Sequence, residues 1–344
     1  MSDFENNCIK YRTTDLGIVV PSIKHICDGL EIVSNIYEKD GFGYITFNRE
    51  IDTIWSNAFE NCHTLSNIYL PNSIRTIDSL AFGNCVNLSM IDIPDNVETI
   101  NTAFMNCGLV SVYIPASVKT IHQYAFYGCR LVAVHINPDN TMYDSRDECF
   151  GLVESKTNTL LIGTLDFSQS TAKIPNSIET IASNAFYKQK DLTTVEIPEK
   201  VKSIHTDAFY GCSELITIKL NSKKPPVLEP RAFPEGNYTI FVPAKSYDEY
   251  MRSNYWSKFS NKIQPVSHMF HNYIIVDTES GISKKESWKQ NESTISEAEF
   301  HSDCVLLKRI EKNSTRHLNN LLMQGYSTER ELNLNKVKYK YVCW

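Results

Sequence analysis

Residues 74–94 read IRTIDSLAFGNCVNLSMIDIP, and versions of this stretch recur along most of the chain. The pair Ala-Phe at its centre is found at intervals of 23, 22, 22, 60, 23 and 24 residues. The copies are Ala58-Phe59, Ala81-Phe82, Ala103-Phe104, Ala125-Phe126, Ala185-Phe186, Ala208-Phe209 and Ala232-Phe233. A repeat of about 20 to 50 residues predicts a solenoid, in which stacked coils bury their apolar sides against one another. We therefore expect the coils to share a single apolar interior.

Each repeat contains the parts of one coil. In the third repeat, Val112 and Ile114 alternate with outward residues, as in a short strand with one buried face. Pro115 has no backbone N–H to donate and ends that strand. Ala103 is small enough for a tight corner, and Phe104 fills the coil centre. These features predict an α/β repeat solenoid with a parallel strand sheet, closed by a C-terminal cap and followed by a non-repeat tail.

Composition excludes some classes of partner. The net charge is -6 and there is no basic run, so we expect no nucleic-acid partner. No stretch approaches the ~20 apolar residues of a membrane helix, so we expect no membrane insertion. The first twenty residues lack a basic region followed by an apolar run, so no export signal is visible. As written, the chain is expected to be cytoplasmic.

The chain divides into four regions. Leading strands occupy residues 1–48, and the repeats occupy 49–233 with a long variant repeat at about 137–174. A cap follows at 234–267, with a strand at Tyr238 to Val242 and a helix from Ser246 to about Phe259. Serine is a good N-cap residue, and terminal repeats need a cap. Residues 268–344 do not repeat, and their function is not predicted.

The non-repeat tail contains a helical pattern. Thr294 and Glu297 form a capping box, and Gly325 can end the helix. Between them, apolar residues recur at helical spacing at Phe300, Cys304, Leu307, Ile310, Leu318 and Leu321. This helix either forms an oligomer or partner face or docks on the solenoid. The stretch from Lys336 to Cys343 alternates like a strand.

Five cysteines occupy one column of the repeat. They are Cys62, Cys85, Cys107, Cys129 and Cys212. Identical positions in stacked coils favour buried, reduced thiols that act as small apolar residues with a weak donor. Parallel side chains of a ladder do not present the dihedral angle of a disulfide. A catalytic or metal-binding column is the alternative.

Other reactive residues do not form a recognisable active site. No phosphate-binding glycine loop and no zinc-finger spacing is present. Three weaker metal hypotheses remain, namely His25 with Cys27, His268 with His271, and calcium at Asp139, Asp144, Asp147 and Glu148. A nucleophile pair of Cys304 and His317 would be ~20 Å apart on a continuous helix. We therefore predict no catalytic residue, metal or cofactor, and leave an enzyme activity in the tail as an alternative.

The repeats resemble the BspA-type leucine-rich repeats of bacterial surface proteins. The resemblance is carried by the phrase Leu70-Pro-Asn-Ser-Ile74, the Ala-Phe-x-x-Cys unit and Leu-x-x-Ile-x-Ile-Pro. Longer passages resemble the variant and closing repeats of Bacteroidetes members, at Tyr143 to Ile162, Pro225 to Ala244 and Trp256 to Pro265. Tyr11 to Phe47 resembles their leading strands. The resemblance covers residues 9–267 and implies a leucine-rich-repeat-type coil stack, a cell-surface location and adhesion by protein binding.

The outward positions of the strand column form the predicted binding surface. We expect one sheet face whose residues stand coil above coil, ~4.8 Å apart. The binding residues are Asn67, Tyr69, Met90, Asp92, Ser111, Tyr113, His135, Glu196 and Lys219. Tyrosine is a favoured anchor at interfaces, although it also suits any exposed sheet surface. The face is therefore either a ligand-contact strip or an ordinary sheet surface.

Three functions are consistent with the sequence. The first is a non-enzymatic, adhesin-like module that binds a protein partner of the host-matrix or cell-surface type. The second is an intracellular or phage-borne interaction scaffold, which the missing export signal and the free thiols favour. The third is an enzyme fused to a repeat platform. The sequence does not name the partner.

Overall fold

The structure, a computed structural model, describes residues 6–24, 26, 29–166 and 170–266, and the backbone of five strands after residue 269. The chain forms two compact units. The first runs to residue 264, apart from 243–245, and holds all the repeats. The second contains 243–245 and 265–344.

Three leading strands open the first unit, as the sequence predicts. They are Cys8–Thr13, Ile32–Tyr37 and Gly43–Phe47. Cys8–Thr13 pairs antiparallel with Gly43–Phe47 on one side and with Leu65–Tyr69 of the first coil on the other. The leading strands therefore continue the sheet of the solenoid and cover its first coil.

The solenoid has two columns of parallel strands, which confirms the predicted fold. The longer strands are Leu65–Tyr69, Met90–Asp92, Ser111–Ile114, Ala133–Ile136, Thr194–Ile197, Thr217–Leu220 and Thr239–Pro243. The shorter strands are Thr53–Ile54, Thr76–Ile77, Thr99–Ile100, Thr120–Ile121, Thr180–Ile181, Ser203–Ile204 and Val227–Leu228. In the shorter column each isoleucine is buried and each hydroxyl residue lies outside, because successive side chains of a strand point to opposite faces.

The variant repeat adds five short strands. They are Tyr143–Asp144, Leu152–Glu154, Thr159–Ile162, Leu165–Asp166 and Thr171–Ala172. The first three pair antiparallel, and Thr159–Ile162 then pairs parallel with Thr180–Ile181 to start the second run of coils. The long variant repeat therefore forms an enlarged coil that carries antiparallel hairpins.

The phenylalanines of the repeat form a stack in the coil centre. Ring centroids of Phe59 and Phe82 are 5.4 Å apart, and the rings lie within 4° of parallel. Phe82 to Phe104 and Phe104 to Phe126 repeat this spacing at 5.4 and 5.3 Å. All four rings are buried. Phe82 and Phe104 therefore contact a neighbouring ring on both faces in place of water, which one coil alone could not provide.

Gly163 interrupts the phenylalanine stack. Its N–H donates to the Ala185 carbonyl at 2.8 Å, the same bond that the Phe82 N–H makes to Ala103 at 2.9 Å. Gly163 therefore stands at a phenylalanine position of the repeat. A Cβ atom there would lie 2.0 Å from Cε1 of Phe186. The Phe186 ring occupies this space, and stacking resumes from Phe186 to Phe209 at 4.9 Å.

The expectation of a single apolar interior was wrong at this point. The buried side chains form two clusters, one from Ile9 to Leu152 and one from Cys149 to Ile263. Tyr127 and Tyr187 join the coils on either side of the break, with ring centroids 4.3 Å apart. Arg130 and Asp191 add an exposed ion pair at 3.4 Å across it. The variant repeat thus divides the core while neighbouring coils stay in contact.

An asparagine column supports one corner of the first coils. Asn61, Asn84 and Asn106 have φ near +60°, a left-handed conformation that asparagine tolerates better than most residues. The Asn84 side-chain amide donates to Asn61 Oδ1 at 3.0 Å, and Asn106 donates to Asn84 Oδ1 at 3.1 Å. Gly128 takes the next position, where a Cβ would lie 2.1 Å from Asn106 Oδ1. The column therefore ends at a glycine.

The cap closes the last coil with two buried aromatic residues. The Tyr250 hydroxyl donates to the Ser222 carbonyl at 2.9 Å, and the Trp256 indole donates to the Pro226 carbonyl at 2.7 Å. The helix is shorter than predicted, spanning Tyr247–Arg252, with 3-10 turns at Ala244–Ser246 and Ser257–Phe259. Ser246 lies at the N-cap position, but its side chain makes no capping bond. A further 3-10 turn lies at Arg146–Glu148, and Ile263–Val266 is the last strand.

The second unit contains a five-stranded sheet. Its strands are Phe270–Asp277, Ser283–Lys289, Cys304–Lys308, Thr328–Leu334 and Val337–Cys343. The predicted final strand is confirmed. The predicted tail helix was wrong at Cys304–Lys308, because this segment pairs with strands on both sides. The other positions of that helical pattern lie outside the described residues.

Candidate functional site

The first four long strands present the predicted binding residues on their outer face. Asn67 pairs with Met90, and Tyr69 pairs with Asp92. Ser111 pairs with Ala133, and Tyr113 pairs with His135. Ile68, Ile91, Val112 and Val134, between them in sequence, are buried. The period of two therefore turns the predicted set outward, and we call Asn67, Tyr69, Met90, Asp92, Ser111, Tyr113 and His135 the strand face.

Exposure within the strand face increases away from the leading strands. Asn67 and Tyr69 are half-buried, whereas Met90, Asp92, Ser111, Tyr113 and His135 are exposed. Met90 is 56% exposed and Tyr113 is 43% exposed. A thioether and an aromatic ring at this exposure leave apolar area open to a partner.

Two predicted binding residues lie on a separate sheet. Glu196 and Lys219 pair in register on the strands after the variant repeat, and the Lys219 ammonium lies 3.1 Å from Glu196 Oε1. Asn221 donates to the same oxygen at 2.7 Å. Although burial raises the pKa of Glu196, these hydrogen bonds and the Lys219 charge hold it below its ordinary value. The expectation of one continuous face was wrong, because the described long strands lie in three sheets, with breaks between Met90–Asp92 and Ser111–Ile114 and between Ala133–Ile136 and Leu165–Asp166.

Two cations on the leading strands extend the strand face, which the sequence analysis missed. Lys10 pairs with Tyr69 and Arg12 pairs with Asn67 across the antiparallel ladder. The Lys10 ammonium lies 3.6 Å from the centroid of the Phe42 ring, and the Arg12 guanidinium lies 4.0 Å from it. Phe42 also meets Tyr69 edge-on at 6.1 Å. The alternation of Lys10 and Arg12 within Cys8–Thr13 is the signal that could have revealed them.

The cysteine column is structural. Cys85 donates through Sγ to the Phe59 carbonyl at 3.1 Å, and Cys107 donates to the Phe82 carbonyl at 2.8 Å. Cys129 and Cys212 make the same contact with Phe104 and Phe186 at 3.0 and 3.1 Å. All are free thiols, as predicted. Each thiol thus fills the coil beside a phenylalanine and gives its carbonyl a donor.

These thiols should resist alkylation until the protein unfolds. We expect iodoacetamide at pH 8 to leave Cys85, Cys107, Cys129 and Cys212 unmodified in the folded protein. The thiolate is the reactive form, and burial raises the pKa of Cys85 and of Cys212 to about 12. Peptide mapping by mass spectrometry, before and after guanidinium unfolding, is the measurement. The same four cysteines after unfolding are the internal control, and their modification before unfolding would contradict the expectation.

Asp144, one residue of the predicted calcium cluster, is hydrogen-bonded by neighbouring side chains. Arg146 donates through Nε to Asp144 Oδ1 at 2.7 Å, and Ser155 donates to Asp144 Oδ2 at 2.5 Å. Burial raises the pKa of Asp144, but these bonds hold it below its ordinary value. Within residues 6–24, 29–166 and 170–266, no three potential ligands gather at one point. His25, Cys27, His268, His271, His317 and the side chains of Glu148 and Cys304 lie outside the described residues.

Among the described residues, no helix is both long and apolar enough to cross a bilayer. The outward strand residues are the surface on which a function can be argued.

Comparisons with known proteins find a matching repeat family and several similar solved structures. The BspA type leucine rich repeat region matches residues 30–151 and 163–261, with six copies. The chain is similar to the pneumococcal vaccine antigen PcpA, at 18% identity over 59% of this chain and 68% of that one, with a TM-score of 0.39. It is similar to a leucine-rich repeat protein from Eubacterium ventriosum (18% identity, 67% and 73% covered, TM-score 0.43). It is also similar to a leucine rich cell surface protein from Faecalibacterium prausnitzii, at 22% identity over 63% of this chain and 77% of that one, with a TM-score of 0.41. No curated protein matches the sequence.

Proposed function

The chain belongs to the BspA-type leucine-rich repeat family, and from that premise we propose that it is a non-enzymatic, adhesin-like module. In this proposal it acts at the cell surface and binds a protein partner of the host-matrix or cell-surface type. The strand face, extended by Lys10 and Arg12, is the contact surface. Solenoids of this kind act through extended surfaces that rigid coils hold in register.

The observation that carries the proposal is the set of side chains that the strand face exposes to solvent. Tyr113 and Met90 leave apolar area open to solvent, with Asp92 beside them. Tyrosine brings a large contact area at a low cost in side-chain entropy. At the other end, Lys10 and Arg12 place two positive charges beside the Phe42 ring. A partner with an apolar ridge and acidic groups at one end would match this pattern.

Removing the two tyrosines should weaken binding without unfolding the protein. We expect Tyr69→Ala with Tyr113→Ala to weaken the affinity for a captured partner by about 2 kcal/mol or more, the range of interface anchors. The partner is first captured from matrix and cell-surface extracts with the full chain, and affinity is then measured by surface plasmon resonance.

Tyr210 provides the matched control for that experiment. Its side chain is 44% exposed, nearly the same fraction as the 43% of Tyr113, but it lies on a coil corner and not on the strand face. Tyr210→Ala should leave the affinity unchanged, and all variants should keep the wild-type melting temperature. Equal affinity of the double variant and the wild-type chain would exclude the strand face as the contact surface.

The free thiols favour a second candidate, an intracellular or phage-borne interaction scaffold. Cys85, Cys107, Cys129, Cys149 and Cys212 are buried and unpaired by disulfides, as is common in a reducing compartment. The strand face would serve a protein partner in this case too. Fractionation of the native host separates the two candidates. Recovery in the surface or secreted fraction supports the adhesin-like function, and recovery in the cytosol supports the scaffold.

A further inference from the structure

The coil corner beside the phenylalanine stack carries tyrosine only around the break in the core. The residues that follow the phenylalanines of successive repeats are Glu60, Gly83, Met105, Tyr127, Tyr187, Tyr210 and Pro234. Tyr127 and Tyr187 thus occupy consecutive copies of one position, although they are 60 residues apart in sequence. They belong to coils on opposite sides of the break, where the buried side chains divide into two clusters.

The rings of Tyr127 and Tyr187 are packed unusually close to each other. Their centroids are 4.3 Å apart and the ring planes differ by 31°, whereas aromatic pairs usually have centroids about 4.5–7 Å apart. The other tyrosine contacts of this corner are longer, at 5.7 Å from Tyr187 to Tyr210 and 6.1 Å from Tyr124 to Tyr127. Carbon atoms of the Tyr127 and Tyr187 rings are therefore in van der Waals contact.

The hydroxyl groups of the two tyrosines are also neighbours. Burial raises the pKa of the Tyr127 hydroxyl, and a hydrogen bond with the Tyr187 side chain raises it further. Tyr127 therefore keeps its proton at neutral pH, and the ring carbons next to the two hydroxyls lie on the same side of the pair. Both tyrosines are half-buried, so each phenol is reached from solvent while the surrounding coils hold its ring in place.

We propose that Tyr127 and Tyr187 are an oxidative modification site, at which a peroxide-driven one-electron oxidant joins the two rings by an intramolecular dityrosine bond. Each phenol gives up one electron and its hydroxyl proton, and the peroxide is reduced to two molecules of water. The two tyrosyl radicals couple through the ring carbons ortho to their oxygens. The hydrogen on each of these carbons then moves to the adjacent oxygen, which restores both phenols and leaves one new C–C bond.

The position of this pair gives the bond a structural effect. It would close a loop of 60 residues that contains the whole variant repeat. A covalent cross-link stabilises a fold by restricting the unfolded chain, and the effect increases with the length of the loop that it closes. The exposed ion pair of Arg130 and Asp191 across the same break contributes little by comparison, because solvent screens it. The dityrosine bond would therefore link the two apolar clusters where the core is divided.

Treatment of the full chain with a haem peroxidase and hydrogen peroxide tests the proposal. We expect dityrosine fluorescence to appear, and peptide mapping by mass spectrometry should find the Tyr127 and Tyr187 peptides joined with the loss of two hydrogen atoms. The yield should not depend on protein concentration, because both rings belong to one molecule. Under conditions that cross-link free tyrosine, the absence of this product would overturn the proposal. So would a main product that joins other tyrosines or two molecules.

Phenylalanine variants test the site without removing a ring from the corner. Tyr127→Phe and Tyr187→Phe should each abolish the intramolecular cross-link, because phenylalanine has no hydroxyl hydrogen to lose. Tyr255→Phe is the matched control, since Tyr255 is 49% exposed and far along the chain from the break, and it should leave the yield unchanged.

The melting temperature tests the structural effect of the bond. The cross-linked wild-type chain should melt about 5 °C or more above the untreated chain, whereas peroxidase treatment of Tyr127→Phe should leave its melting temperature unchanged. Equal fluorescence of the wild-type and Tyr127→Phe chains would overturn the assignment of the site. An unchanged melting temperature of the cross-linked chain would overturn its effect on the break.

Discussion

Replacing Phe82 by alanine should lower the free energy of unfolding by about 3–5 kcal/mol, the largest single-residue effect we expect. The ring is fully buried and lies 5.4 Å from the rings of both Phe59 and Phe104. Alanine would leave a cavity in the middle of the stack, and the hydrogen-bonded coils on either side cannot close it. Urea unfolding followed by far-UV circular dichroism gives the change in stability.

Phe150 is the matched control for this substitution. It is also a phenylalanine, but it is 53% exposed on the variant repeat and belongs to neither apolar cluster. Phe150→Ala should change the stability by no more than about 0.5 kcal/mol, as surface substitutions usually do. Similar losses for the two variants would show that the phenylalanine stack is not what holds the coils together.

Replacing Gly163 by alanine should lower the free energy of unfolding by about 1–3 kcal/mol, the usual cost of overpacking a core. The added methyl group would stand 2.0 Å from Cε1 and 2.1 Å from Cζ of Phe186, a fully buried ring. Either the ring or the coil backbone has to move, and Phe186 is held by stacking on Phe209. The same urea experiment measures the loss.

A second glycine separates this clash from the general effect of adding a methyl group. At Gly83 the nearest atom to a new Cβ is Cδ2 of Leu80 at 3.1 Å, the end of a flexible side chain that can give way. Gly83→Ala should therefore cost clearly less than Gly163→Ala. Truncating the opposing ring gives a further check, because Gly163→Ala should cost less in a Phe186→Leu background than in the wild-type chain. If Gly163→Ala lowered the free energy of unfolding by the same amount in both backgrounds, the steric explanation would be contradicted.

Some properties of the candidate site could be predicted because strand periodicity is local. The alternation in Ser111–Ile114 and Ala133–Ile136 was enough to place Tyr113 and His135 outward, and the structure pairs them in register. Lys10 and Arg12 were missed because the leading strands do not repeat. Only the antiparallel pairing of Cys8–Thr13 with Leu65–Tyr69 brings these cations beside Tyr69.

The tail shows why an apolar spacing without repeats predicts less. Cys304 and Leu307 fit a helical period, yet Cys304–Lys308 is a strand between two others. A short apolar run fits either period, and strand partners distant in sequence decide between them. In the repeats, every copy provided the same evidence again, so the ambiguity did not arise.

By itself, the sequence determined that the chain coils, which side of each strand is buried and that phenylalanines fill the centre. These properties follow from local spacing and are repeated in every coil. Only the tertiary structure decided where the stack breaks. The hydrogen bond from the Gly163 N–H to the Ala185 carbonyl identifies Gly163 as the residue at a phenylalanine position, and the sequence does not show this bond. It also decided that the column of long strands divides into three sheets, with breaks after Met90–Asp92 and after Ala133–Ile136. Such features depend on which distant segments pair. The pairing energy belongs to both segments together, and the sequence of one segment does not identify its partner.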